Sequence, residues 1–362
     1  MYSTVLLPKM LHSASGAGSR NASSTTITQI TRVLSVAFFL LSFSSITFAR
    51  STPDAVGEIL QQSFIWPDWV PDPTGAQAYI AFRQNFTISE APSTALLHIF
   101  ADSRYMLWLN GAYILRGPCR FNPKSPEYDS VDISNRLLVG SNSLVVLSHH
   151  YGAGVINGRI MSHVPGLTAL LVADNATVLQ TSPSWLCTNQ TEYLPSPQAW
   201  SSIPDVIDAR MPVQGWTQSS YDASSWGTAA AVNGSLWGPL LPRSIPLTLE
   251  TPIPLALLTL MPSGAPLVDS LPLTLSAGQS VVVNLSRMAM VYASLALEAT
   301  AAGSTLTLDY ALRYVNGQPA ETYGSGSSFT TRTGLQQLFG GDQWCSHYMI
   351  IRVEVRLPSE IS

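Results

Sequence analysis

The chain has 362 residues, enough for two ordinary domains with sizeable cores. Only 11% of its residues are charged, the net charge is −4 and no basic stripe is present, which argues against a nucleic-acid partner. Few charges beside 25 prolines and much Ser, Thr and Gly suit a β-rich exported protein better than a helical cytosolic one.

In chain order, the first signal is a targeting segment. Arg32 precedes an apolar run from Val33 to Phe48, and small residues end at Ala49 before Arg50. This predicts a signal peptide over residues 1–49 cut after Ala49, with Met10 as an alternative start. The competing reading is an uncleaved membrane anchor. The run is Ser-interrupted and short for a span of roughly 20 apolar residues, so no membrane contact is expected after cleavage. The sequons at Asn85, Asn175, Asn189, Asn233 and Asn284 agree with export as candidate glycosylation sites, whereas the one at Asn21 would leave with the leader.

Strand grammar begins at residues 78–88 and 93–102, separated by Ser-Glu-Ala-Pro-Ser. In YMLWLNG, Tyr105, Leu107 and Leu109 fall on one face and Met106, Trp108 and Asn110 on the other. Asn110-Gly111 supplies a tight turn and AYILRG returns as the partner strand, which predicts a β-hairpin. The Pro- and Asn-rich residues 117–134 read as a loop. Residues 142–152 read as a strand, and a second hairpin turns at Asp174-Asn175. Residues 200–243 read as a connecting region in which Trp216 and Trp226 anchor two sandwiches to each other. After a Pro-rich passage come four further strand-like stretches, LPLTLSAGQSVVVNLS, MVYASLALEAT, STLTLDYALRYV and HYMIIRVEVRL. The expectation is an all-β fold of two jelly-roll β-sandwiches, residues 50–246 and 247–362, with no long helix.

The residues ADSRYMLWLNGAYILRGPCRFNPKSPEYDSVDISNRLLVGSNSLVVLSHHYG resemble the accessory β-sandwich of α-L-rhamnosidases of glycoside hydrolase family 78 and their relatives. The shared features are an Ala-Asp opening, an alternating strand ending in Asn-Gly, then Arg-Gly-Pro, Tyr-Asp and Gly-x-Asn before a strand. Further along, GWTQSSYDASSW, LLPRSIPL, STLTLDYALRY and HYMIIRVEV match the same pattern in order. The resemblance implies a galactose-binding-like first sandwich and a concanavalin-like second one. It also implies a helical (α/α)6 catalytic domain further along, which would be the partner of these sandwiches in a full-length form and would hold the catalytic carboxylates. No such helical segment is read before Ser362, so the chain is expected to be the non-catalytic portion, truncated before that domain. Leu312 departs from the pattern, where an acidic residue is usual.

Candidate chemistry is sparse. Asp102, Glu127, Asp129 and Asp132 cluster in sequence, but turn and capping roles suit them better than a catalytic pair. His149 and His150 are adjacent on a strand and so point to opposite faces; one is expected to be structural and the other exposed. His98 and His163 lack an obvious acidic or thiol partner nearby. Cys119, Cys187 and Cys345 form an odd set without zinc-like spacing, and a Cys119–Cys187 disulfide is one pairing left open. No metal and no cofactor are expected. Carbohydrate binding, to a rhamnose-containing glycan on the family pattern, is assigned to Trp66, Trp108 and Tyr128 with Arg116, Arg120 and Asp129, and Trp69 is a further aromatic contributor. The competing use of Trp108 is packing between sheets or domains, the commoner fate of an aromatic ring. Two other functions stay open beside the hydrolase portion: a free-standing carbohydrate-binding module or lectin, and a structural surface protein.

Overall fold

Residues Arg104–Leu109 alternate because both faces of their strand are buried, each in a different core. Tyr105, Leu107 and Leu109 enter one hydrophobic cluster, while Met106 and Trp108 enter another. The same division holds along the neighbouring strands. Ile80 and Phe82 oppose Tyr79 and Ala81, and Leu144 and Val146 oppose Val145 and Leu147. A period of two with apolar residues on both faces thus marks a middle layer.

The architecture is that of a computed structural model describing residues 2–5, 11–14, 54–70, 77–152, 164–196, 203–211, 214–253, 257–261, 265–267, 273–322, 326–341 and 343–354. The middle layer has six strands in the order Gly227–Thr228, Leu186–Thr188, Ala78–Ile88, Gly140–His150, Arg104–Leu109 and Ala112–Gly117. Against it lies a sheet ordered Ala230–Ala231, Ile65–Trp66, Gly166–Ala173, Ala95–Asp102, Glu127–Asp132 and Leu241–Pro242. Leu97, Ile99, Leu167 and Leu171 meet Phe82, Leu107 and Val146 between these two sheets. Both expected hairpins form, with Asn110, Gly111, Asp174 and Asn175 all at positive φ.

The C-terminal half is built on Thr305–Val315, Trp344–Val353 and Ser280–Tyr292, hydrogen-bonded in that order. The connecting region contributes to this sheet through Val206–Asp208, which runs parallel to Ser327–Thr330. A smaller sheet orders Leu273–Ser276, Tyr2–Val5, Ser294–Ala299 and Gly334–Phe339. Leu295, Leu297 and Leu338 of the small sheet join Leu306, Leu308 and Ile351 of the large one, and that core continues into Met106, Trp108, Trp216 and Trp226. The two tryptophans of the connecting region therefore anchor one sandwich to the other.

Several expectations change. The expected loop at 117–134 contains the strand Glu127–Asp132, which pairs antiparallel with Ala95–Asp102. A short helix, Ala55–Gln61, is present, capped by Asp54 Oδ1 accepting from the Gly57 amide at 2.8 Å. All three cysteines are free thiols, so the Cys119–Cys187 bridge does not form. The apolar run 33–48 lies outside the described residues, as does His163. Leu11–Ala14 pairs with both Glu250–Ile253 and Ser280–Tyr292.

Candidate functional site

The hairpin Arg104–Leu109/Ala112–Gly117 delivers Tyr105, Arg116 and Gly117 to one end of the first sandwich, where it meets Tyr292 and Gln343 of the second. A cavity of about 310 Å³ opens at this seam, lined among others by Arg116, Arg120, Phe121, Arg243 and Tyr292.

Arg116 is fixed on three sides. Its Nε donates to the Tyr113 hydroxyl at 2.8 Å and to Glu250 Oε1 at 3.1 Å. Its Nη1 donates to the Gly340 carbonyl, and the guanidinium lies 3.9 Å from the centre of the Tyr292 ring. Burial opposes the charge, but Tyr113, Glu250 and Tyr292 more than offset it, and the guanidinium is held above its usual range.

Asp129 forms the second fixed unit. It is fully buried, and its Oδ2 accepts from the Tyr105 hydroxyl at 2.5 Å while Oδ1 accepts from Arg243 Nη1 at 2.6 Å. Burial raises its carboxyl above the usual range, against the opposing pull of Tyr105 and Arg243. Gly117 explains the Arg-Gly-Pro run: a Cβ there would sit 2.0 Å from Asp129 Oδ2 and 2.7 Å from the Tyr105 hydroxyl. The glycine is needed for space.

Of the residues assigned to sugar binding, Arg116 and Arg120 come together at the cavity. Four others are corrected. Trp108 is 4% exposed and packs edge-on against Trp216 with ring centres 5.4 Å apart. Trp66 is buried against Phe82, and Tyr128 is buried with its hydroxyl donating to the Asp54 carboxylate at 2.8 Å. Rings so enclosed offer no face to a sugar. Asp129 is taken up by Tyr105 and Arg243 rather than by turn or capping hydrogen bonds. Trp69 is exposed but does not line the cavity.

The other candidates resolve structurally. Asp102 accepts from Trp237 Nε1 at 2.8 Å, Glu127 from the Ser244 hydroxyl at 2.7 Å, and Asp132 from the Ser134 amide at 2.9 Å. Both His149 and His150 are buried, so neither is the expected exposed histidine. His149 stacks on Tyr79 with ring centres 3.8 Å apart, and His98 Nδ1 lies 2.8 Å from the Ser130 hydroxyl. The sequon residues Asn85, Asn175, Asn189 and Asn233 are exposed, and Asn284 is half-buried. Sequence reasoning missed Tyr105, Arg243 and Tyr292 as lining residues. Arg243 stood in the quoted LLPRSIPL passage, but nothing local to it signals its long-range pairing.

These features define an all-β protein of two β-sandwiches sharing a core, with a cavity rich in arginine at their seam. Solved structures of the same fold are α-L-rhamnosidases. The GH78 family rhamnosidase of Bacillus sp. GL1 matches with a TM-score of 0.67 at 16% identity, over 81% of this chain and 53% of that one. The α-L-rhamnosidase of Aspergillus terreus gives 0.58 at 17% identity, over 82% and 36%. That of Streptomyces avermitilis, complexed with L-rhamnose, gives 0.57 at 18% identity, over 78% and 28%. The resemblance read from the sequence holds at the level of fold, and the chain spans about half the length of these proteins or less. No family model matches the sequence, and no curated protein matches it. Among the described residues, no helix is long and apolar enough to cross a membrane.

Proposed function

We propose that this chain is the non-catalytic β-sandwich portion of a secreted α-L-rhamnosidase-like glycoside hydrolase, bracing a helical catalytic domain and contacting a rhamnose-containing glycan. The observation that carries the reading is the single core running through both sandwiches, from Leu107's neighbour Trp108 to Leu308 and Ile351. Such a core makes a stiff platform. The likeness in fold to rhamnosidases supports it, one of them complexed with L-rhamnose. The acidic residues support the non-catalytic role. Inverting hydrolysis needs an opposed acid and base with room for water between them. Here Asp102, Glu127, Asp129 and Asp132 each accept hydrogen bonds from the fold itself. A leader of residues 1–49 and a division near Leu247 belong to the same proposal.

The test is an assay of the purified protein on an aryl rhamnoside. No turnover is expected; turnover lost on changing Asp129 or Glu127 would overturn the reading. N-terminal sequencing of the exported product should begin at Arg50. A product retaining Tyr2–Val5, which pairs with Leu273–Ser276, would overturn the leader. The cavity favours a second reading, a free-standing carbohydrate-binding module, which glycan-array binding by a chain lacking any catalytic partner would support.

A further inference from the structure

We infer that the cavity at the sandwich seam binds the carboxylate of an acidic saccharide, such as a uronate residue. This rests on the carbohydrate-contact reading above and adds to it the charge class of the ligand.

Arg116 and Arg243 both line the cavity, and each side chain is only 8% exposed. Arg116 commits Nε and Nη1 to Tyr113, Glu250 and Gly340. Arg243 commits Nε to the Ile245 carbonyl at 3.1 Å and Nη1 to Asp129. The Nη2 of each donates to no acceptor among the described residues. Arg120, exposed in the same lining, has no ion pair there either. The nearby acids face these same groups: Glu250 Oε1 takes bonds from Tyr113 and Arg116, and Asp129 from Tyr105 and Arg243. The cavity is therefore cationic, with donors left over.

The Nη2 groups are left to donate to a ligand, and hydrogen bonds from a guanidinium to a carboxylate are among the stronger ones. Arg116 is held in place by Tyr292 and Gly340 before any ligand arrives, so little side-chain freedom is lost on binding. Phe121 and Ile245 supply apolar surface for the C–H face of a sugar ring. The volume of about 310 Å³ lies at the small end of ligand sites, which run from roughly 300 to 1,000 Å³ and enclose small molecules. A short acidic saccharide satisfies shape and charge together, whereas a neutral sugar leaves the spare donors poorly matched.

Isothermal titration calorimetry on the full chain tests this with D-galacturonate and its dimer, their methyl esters, L-rhamnose, acetate and inorganic phosphate. Binding of the uronates is expected, weakened by added salt and absent for the methyl esters. Arg120→Ala, on an exposed side chain, should weaken it about tenfold or more, the scale of a charge-assisted hydrogen bond. Arg116→Lys keeps the charge but loses the Nη2 donor and should weaken binding similarly, with its folding checked by thermal unfolding. Acetate or phosphate binding as tightly as galacturonate would overturn the saccharide assignment and leave a plain anion site. Rhamnose binding indifferent to both variants would overturn the acidic-ligand inference while the carbohydrate reading stands. No binding of any sugar would overturn both.

Discussion

Arg116 Nε and Glu250 Oε1 lie 3.1 Å apart across the seam of the two sandwiches, with side chains only 8% and 11% exposed. The pair ties the hairpin of the first sandwich to the Glu250–Ile253 strand of the second. Glu250→Ala leaves a buried cation without its anion, a change that costs roughly 3–5 kcal/mol. Tyr113 and Gly340 remain as acceptors, so the loss should fall near the lower figure. Because the core is shared, calorimetry of the unmodified protein should show one unfolding transition. Two separated transitions would show that the seam does not couple the sandwiches.

Gly117 and Gly140 make a controlled comparison. At Gly117 a methyl group collides with Asp129 and the Tyr105 hydroxyl, whereas at Gly140 nothing lies within 4 Å and only the φ of +96° is at stake. Gly140→Ala should cost about 1–2 kcal/mol, the penalty of a left-handed backbone. Gly117→Ala should cost more, since overpacking of about 1–3 kcal/mol is added to disruption of the Asp129–Arg243 pair. Urea titration of both variants measures the difference, and equal losses would refute the crowding at Gly117.

Glu192 gives stability a dependence on pH. Its Oε2 accepts from Trp216 Nε1 at 2.6 Å, but burial dominates and raises the carboxyl above its usual range. A raised carboxyl binds its proton more tightly when folded. Its contribution is therefore complete below the unfolded value of about 4.3 and is lost as pH rises through the folded value. Glu192→Gln keeps an acceptor for Trp216 and removes the buried charge. The variant should match the parent at pH 4 and gain on it as pH rises through the folded value of Glu192 in thermal unfolding. A gap that shrinks with rising pH would contradict this sign.

The thiols should differ in reactivity. Burial, with a smaller push from Asp68, raises the Cys187 thiol to about 12, and burial raises Cys119 as well. Alkylation of the folded protein at pH 8 should leave Cys187 unmodified, and all three cysteines should react once it is denatured. A non-reduced mass lower by two hydrogens would reveal a disulfide and refute three free thiols.

Much of the fold was legible because its signals are local. Alternation in Tyr105–Leu109 and the turn pairs Asn110-Gly111 and Asp174-Asn175 each act within a few residues. Trp108 was legible as apolar, but its partner Trp216 lies far along the chain, and only packing decides between a core ring and a sugar platform. Glu127–Asp132 was read as a loop because its surroundings are rich in Pro and Asn. It is a strand because Ala95–Asp102 offers it a ladder and Arg243 neutralises its buried Asp129. His149 and His150 were split between inside and outside on the assumption that one face of their strand is wet; both faces are covered. The cavity was least legible, since Arg116 and Arg243 are brought together only by tertiary structure.

The parallel pairing of Val206–Asp208 with Ser327–Thr330 bears on how the molecule is made. On the ribosome, Val206 emerges long before Ser328, so this edge stays unzipped until the later strand has been made. Closing so distant a contact is slow. Until then Val206–Asp208 presents an open edge that a wrong strand could join, so the late partner also closes off a route to mispairing.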